Sequence, residues 1–326
     1  MSDCAIARHQ VPNGAGWRLG LKQTVAPALR REWRPVVIVP GYGMNAFIFG
    51  YHPRGRSMEV ALAEAGFEVW SLDVRNQGES ICDGGSRRYG LKDLGLGDLG
   101  AAIDYILGHT HTTATAVDTL GCSLGATLCF MQAALAERPR IGALVAMGGA
   151  LRVEEVHPLL RLALKSPRLA GWIPIRGTRR LAEVVLPRLR HVPWLLSTYL
   201  HPGIVDLSKA SVLARTVEDP NRHLSRELGE WLRTKDLIID GRNLTEEFAA
   251  RVRCPLLCVV ANGDGIVSPG SALSAREYGR MAVKDVLEVG TDEVRIAHAD
   301  LFISDYAEEW LFKPMAAWLV RQQPVA

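Results

Sequence analysis

The sequence predicts an α/β fold: a mostly parallel central sheet covered by helices, interrupted by a helical insertion. Three observations predict it. Short apolar runs rich in β-branched residues, such as Pro35–Pro40 and Ile141–Met147, have the character of strands buried on both faces. Segments with helical spacing alternate with those runs, as crossovers between parallel strands require. The alternation stops from about Leu151 to about Ala250 and resumes at Cys254. The core is therefore expected from 1–150 and 251–326, with 151–250 as the insertion.

In chain order, Gly16–Gln23 alternates weakly and reads as an opening strand. Pro35–Pro40 follows, then a loop, Gly41-Tyr42-Gly43-Met44-Asn45. Ser57–Ala65 has helical spacing. Phe67–Leu72 is the next strand and ends in the polar segment Asp73–Ser80. Leu94–Leu107 reads as a helix. Thr115–Leu120 is a strand, followed by the helix formers of Thr127–Leu135. Ile141–Met147 closes the first half at Gly148-Gly149. After the insertion, Cys254–Ala261 is a strand that ends in Asn262-Gly263-Asp264-Gly265, a good turn by composition. Asp285–Val289 reads as the last strand, and Leu301–Gln322 as a closing helix. The sequence contains no internal repeat and no low-complexity segment.

At 326 residues, with 48% hydrophobic and 22% charged residues, the chain can bury a sizeable core. A net charge of +3 is too small to imply a nucleic-acid partner. No apolar run reaches the roughly 18 residues of a membrane span. The first residues lack a charged head followed by an apolar stretch, so no secretory signal is read there. The six cysteines have no metal-ligand spacing, and reduced thiols in a cytoplasm are expected.

The chemistry gathers at Leu120-Gly121-Cys122-Ser123-Leu124-Gly125-Ala126. It reads Gly-x-Ser-x-Gly between a strand and a helix, the context of a nucleophile elbow. A turn this tight brings Gly121 and Gly125 against neighbouring backbone, where a β-carbon would clash. The helix then points its N-terminal amides at any developing oxyanion. Cys122, beside Ser123, reads as a small packed residue.

Ser123, Asp264 and His298 occur in the order serine, acid, histidine. With that order the chain resembles the α/β-hydrolase superfamily, as a lipase- or esterase-like member with a helical cap. Val39–Asn45 resembles the oxyanion loop of lipase-like and polyhydroxyalkanoate-synthase-like members, with Pro40-Gly41 where the family commonly has His-Gly. That change removes a side-chain hydrogen bond that can brace the loop. Leu72–Ser80 resembles the family's Asp-x-Arg-Gly-x-Gly-x-Ser segment, with Asn76 at the first glycine. Glu230-Trp231-Leu232-Arg233 and Asn243-Leu244 resemble the cap end of acid-lipase-like members.

The resemblance implies a serine hydrolase that cleaves an acyl ester through an acyl-enzyme intermediate, with no metal or organic cofactor. Ser123 would be the nucleophile, His298 the base and Asp264 its orienter. Each type has a reason: a hydroxyl is a weak nucleophile without a base, neutral imidazole takes its proton, and a carboxylate fixes the imidazole tautomer. The amides of Tyr42 and Leu124 would form the oxyanion hole. Of nine histidines, His298 alone lies between the last strand and the closing helix. Asp292, Asp300, Glu154 and Glu155 are rival acids. The alternatives in function are an acyltransferase with the same residues and a catalytically silent ligand-binding homologue.

The insertion is expected to roof the site as a cap, with Trp172 and Trp194 lining an acyl pocket. Its segment from Arg161 to Arg190 carries eight cations and one acid, Glu183. That bias fits a solvated helix face, or a lid that meets a membrane surface or an anionic substrate such as an acyl-CoA. The acyl group, the leaving group and the oligomeric state are not legible.

Overall fold

The computed structural model describes residues 3–155, 177–189, 197 and 199–324. Among the described residues, nine strands form one sheet. They are β1 (Ala5–Pro12), β2 (Trp17–Val25), β3 (Val36–Val39), β4 (Val69–Asp73), β5 (Ile81–Cys82), β6 (Val117–Cys122), β7 (Ile141–Met147), β10 (Leu256–Ala261) and β11 (Lys284–Val289). Two more, β8 (Ile238–Ile239) and β9 (Arg242–Asn243), make a separate hairpin. The sheet order is β1-β2-β4-β3-β6-β7-β10-β11, with β5 on β2. From β4 to β11 every pairing is parallel, while β1, β2 and β5 are antiparallel. The mostly parallel sheet expected from the sequence is the sheet of this molecule.

Among the described residues, the α-helices of seven residues or more are α1 (Met58–Glu64), α2 (Leu99–His109), α3 (Leu124–Leu135), α4 (Thr178–Leu189), α5 (Arg222–Thr234), α6 (Leu244–Arg251), α7 (Pro269–Tyr278) and α8 (Lys313–Arg321). The continuous apolar character of the strands has a direct cause. Along β3, Val37 and Val39 join one core cluster, with residues of α2, α3, α6 and α7. Val36 and Ile38 join the other, with residues of α1 and α8. Both faces of the strand are dry, so an alternating polar residue would be buried without a partner.

The structure departs from the sequence reading in four places. The sheet begins at β1, before Gly16. The Leu94–Leu107 helix starts as a wide turn, Asp93–Asp98, before α2. The closing helix is broken, because Ser304 is extended after a short turn at Asp300–Ile303. The Ser304 carbonyl accepts from the Ala307 amide at 3.0 Å, and His52 Nε2 also lies 3.0 Å from it. The insertion holds the β8–β9 hairpin as well as helices. Its last helix, α6, packs on α3 through an edge-to-face pair, Phe130 and Phe248, with centroids 5.1 Å apart. Trp172 and Trp194 lie outside the described residues.

Candidate active site

The sheet order creates the place for a site. From β3 the chain crosses to β4 on one side, and from β6 it crosses to β7 on the other. The connections diverge from adjacent strands, leaving a crevice at their carboxyl ends. The loop after β3 and the turn after β6 meet there.

Ser123 sits between β6 and α3 at φ 53° and ψ −121°, a left-handed region that a serine rarely occupies. Strain of this kind costs roughly 1–3 kcal/mol and persists only where the surroundings impose it. Here they do. A β-carbon on Gly121 would lie 2.2 Å from Ala126 Cα, and one on Gly125 would lie 2.2 Å from the Val39 carbonyl oxygen. The turn therefore closes only with glycine at both positions. Cys122 is buried, and burial pushes its thiol well up, away from thiolate chemistry at neutral pH.

His298 follows β11, and Asp264 follows β10. Their side chains are 7% and 3% exposed, and His298 Nδ1 lies 2.6 Å from Asp264 Oδ2. A carboxylate only accepts, so Nδ1 carries the proton and Nε2 is left as an acceptor. The other carboxylate oxygen, Oδ1, accepts from the amides of Ile266 at 2.8 Å and Val267 at 3.0 Å. Asp264 is thus fixed at both oxygens.

The two glycines after β7 join this pair to the elbow. A β-carbon on Gly148 would lie 3.1 Å from His298 Cε1 and 3.2 Å from Asp264 Oδ2. One on Gly149 would lie 2.6 Å from the Ser123 carbonyl oxygen and 2.3 Å from Ala126 Cβ. Consecutive residues thus touch the imidazole, the carboxylate and the elbow. The Ser123 amide donates to the Met147 carbonyl at 2.9 Å, which binds the elbow to the end of β7.

None of the rival acids has a described contact with His298. Glu154 accepts from Arg152 at 2.7 Å and from the Tyr278 hydroxyl at 2.9 Å. Glu155 meets α7 only through its backbone, its amide and carbonyl both facing Ser271 Oγ. Asp300 is buried and accepts from the amides of His201 and Ala297. Asp292 is exposed in the turn after β11.

The loop after β3 lies on the elbow. A β-carbon on Gly41 would be 3.0 Å from Ser123 Cβ and 3.1 Å from the Cys122 carbonyl oxygen. Tyr42 is the next residue, so its amide is carried beside Ser123. Leu124 opens α3, so its amide has no partner inside the helix. Asp73 ties this loop to the next one, accepting from the amide of Ala46 at 2.8 Å and that of Glu79 at 2.9 Å. Asn76 takes the place of a glycine at φ 62°, which asparagine tolerates better than most side chains. Arg75 is buried on Asp98, two charges that balance each other out of water.

Sequence reasoning missed what holds the Tyr42 loop. Residues 215–218 of the insertion run antiparallel beside it, pairing Val217 with Met44. The Asn45 amide donates to the Thr216 carbonyl at 2.9 Å, and the Glu218 amide to the Gly43 carbonyl at 2.8 Å. No local pattern around Glu218 announces this contact.

Among the described residues, no group of three or more His, Cys, Asp or Glu side chains is placed to hold a metal ion. Among them too, no helix is long and apolar enough to cross a membrane.

A family model of the alpha/beta hydrolase fold matches residues 34–174. Solved structures match over nearly the whole length. A soluble variant of monoglyceride lipase from Saccharomyces cerevisiae, in complex with a substrate analogue, superposes with a TM-score of 0.66 at 14% identity. It covers 100% of this chain and 97% of that one. The monoacylglycerol lipase of Paleococcus ferrophilus has a TM-score of 0.57 at 18% identity, covering 98% and 99%. The enol-lactonase of Burkholderia xenovorans LB400 has 0.59 at 16%, covering 96% and 100%. No curated protein matches by sequence. At these identities the likeness is one of fold.

Proposed function

We propose that this chain, which has the α/β-hydrolase fold, is a serine hydrolase that cleaves carboxylic esters through an acyl-enzyme intermediate. The observation that carries the reading is the buried His298–Asp264 hydrogen bond, joined through Gly148 and Gly149 to a serine in a strained turn. Ser123 attacks the acyl carbon as His298 Nε2 takes its proton. Asp264 holds the imidazole tautomer and stabilises the imidazolium. The amides of Tyr42 and Leu124 receive the oxyanion, where one lost donor typically costs about 100- to 1000-fold in rate. His298 returns the proton to the leaving alcohol, and water resolves the ester by the same steps in reverse order.

The lipases and the lactonase of similar fold act on ester bonds by their names, which agrees with the reading without selecting a substrate. The insertion, leaving after β7 and returning before β10, starts at the carboxyl ends of the strands and is read as the cap. Trp172 and Trp194 are proposed to line its acyl pocket. The test is a panel of 4-nitrophenyl esters of increasing acyl length. Hydrolysis that depends on Ser123 and rises with acyl length before levelling supports the reading. Absence of turnover on every ester contradicts it.

A further inference from the structure

Resting on that reading, we propose that Glu218, in the insertion, is a positioning residue for the oxyanion hole. It stands where this chain lacks the loop's own brace. The loop after β3 begins Pro40-Gly41, and proline offers neither an amide hydrogen nor a polar side chain to hold the turn. Gly41 and Gly43 add freedom, and Gly43 sits at φ 66°. Left to itself, such a loop would sample many positions of the Tyr42 amide.

Beside the Asp73 bond and the backbone pairs, one oxygen gives the loop a further fixed point. Glu218 Oε1 accepts from Asn45 Nδ2 at 2.5 Å, from the Gly78 amide at 2.9 Å and from Arg179 Nη2 at 2.8 Å. It thereby binds the Tyr42 loop, the Asp73–Ser80 loop and α4 to a single point. Its own backbone is fixed to the loop as well, through the Gly43 carbonyl. Asn45 Nδ2 also donates to the Arg215 carbonyl at 2.9 Å. The Tyr42 hydroxyl meets Ser225 Oγ at 2.5 Å, at the start of α5. Tyr42 is therefore held from the insertion at its hydroxyl, and the residues that follow it, Gly43 to Asn45, are held along their backbone.

The carboxylate is the right group for this post. Three donors converge on one oxygen, and only a charged acceptor holds three such bonds at full strength, each roughly twice as strong as a neutral one. The described partners of the Glu218 carboxylate are Asn45, Gly78 and Arg179, so it acts through the loop rather than on the reacting atoms. Its effect is confined to where the Tyr42 amide points, and an oxyanion donor acts mainly on the transition state.

The experiment compares Glu218→Gln and Glu218→Ala with the wild-type protein on 4-nitrophenyl acetate. It also measures inhibition by a trifluoromethyl ketone, whose serine adduct carries the oxyanion. Glu218→Gln should lower kcat several-fold and Glu218→Ala by about 10- to 100-fold, part of the loss of a whole donor. KM should stay within about twofold, and inhibitor affinity should weaken by the same factor as kcat. Wild-type kcat and inhibitor affinity in Glu218→Gln overturn the proposal, even if Glu218→Ala fails to fold. So does a fall in kcat with inhibitor affinity unchanged. Ser123→Ala is measured alongside. Turnover that survives it contradicts the function proposed above, whereas Ser123-dependent turnover indifferent to Glu218 contradicts this inference alone.

Discussion

The two halves of the site lean on the insertion to different degrees. Ser123, Asp264 and His298 hang from the ends of β6, β10 and β11, and the glycines after β7 pack between them. β6 and β10 are buried along their whole length and β11 is the mostly exposed edge strand, so the sheet sets where the three side chains start. The His298 loop is tied to the insertion as well, the Ala299 amide donating to the Tyr199 carbonyl at 2.8 Å and Asp300 accepting from the His201 amide. The Tyr42 loop starts from β3 but is fixed by residues 215–225 of the insertion. On the proposed function, the nucleophile and the acid are set by the sheet, while the base and the oxyanion loop also lean on the insertion. Substitutions in the first half should remove the reaction, and those in the second should tune it.

The largest effect is expected at the nucleophile and base. Ser123→Ala and His298→Ala should each lower kcat on 4-nitrophenyl acetate by about 1000-fold or more. Cys122→Ala should stay within a few fold of wild type. Asp264→Asn should cost about 1000- to 10000-fold, since a misplaced tautomer leaves no base at Nε2. A near-silent Asp264→Asn would break the comparison, because the acid would then lie outside the sheet.

A smaller effect belongs to the insertion. Each methylene buried in an apolar pocket adds up to about 0.8 kcal/mol, roughly fourfold in the specificity constant. Trp172→Ala or Trp194→Ala should shift the acyl length at which kcat/KM peaks, leaving the acetate ester rate within a few fold. A profile unchanged by both substitutions would remove the acyl pocket from the insertion.

Next comes packing under the elbow. A methyl group at residue 149 would meet the Ser123 carbonyl and Ala126, so Gly149→Ala should lower unfolding stability by about 1–3 kcal/mol. The urea midpoint measures it. An unchanged midpoint would show that the turn has room to give.

A pH-limited effect concerns Asp300, which ties the His298 loop to His201. Burial pushes its carboxyl up to about 6. The native state therefore holds a proton between about pH 4 and pH 6 that the unfolded chain has released. This group adds stability as the pH falls and loses that contribution as the pH rises through about 6, by roughly 2–3 kcal/mol at most. Urea unfolding at pH 4.5 and pH 7 should show a stability difference from this source in the wild type that Asp300→Asn lacks. Equal pH dependence in the two proteins would remove Asp300 from the account.

What the sequence made legible follows the same division. The inner parallel strands β3, β7 and β10 declared themselves because burial on both faces demands unbroken apolar runs. Ser123 declared itself because the elbow needs glycine at two fixed spacings. Strand β1 was not legible: it is an edge strand whose residues are mostly exposed, so its sequence, Ala5–Pro12, carries no apolar run. The acid was one of five until the structure brought Asp264, and not Glu154 or Asp300, to His298 Nδ1. Glu218 left no trace in the sequence, because its partners Asn45 and Gly78 are 173 and 140 residues away. Long-range polar contacts have no period to read.

The central claim is that Ser123 is the activated nucleophile. It is tested most directly by locating the adduct after brief exposure of the wild-type protein to a fluorophosphonate. The account predicts one adduct on the peptide containing Ser123, formed in Cys122→Ala, strongly slowed in His298→Ala and absent from Ser123→Ala. An adduct on any other residue, or ester hydrolysis that continues with Ser123 unlabelled, would contradict it.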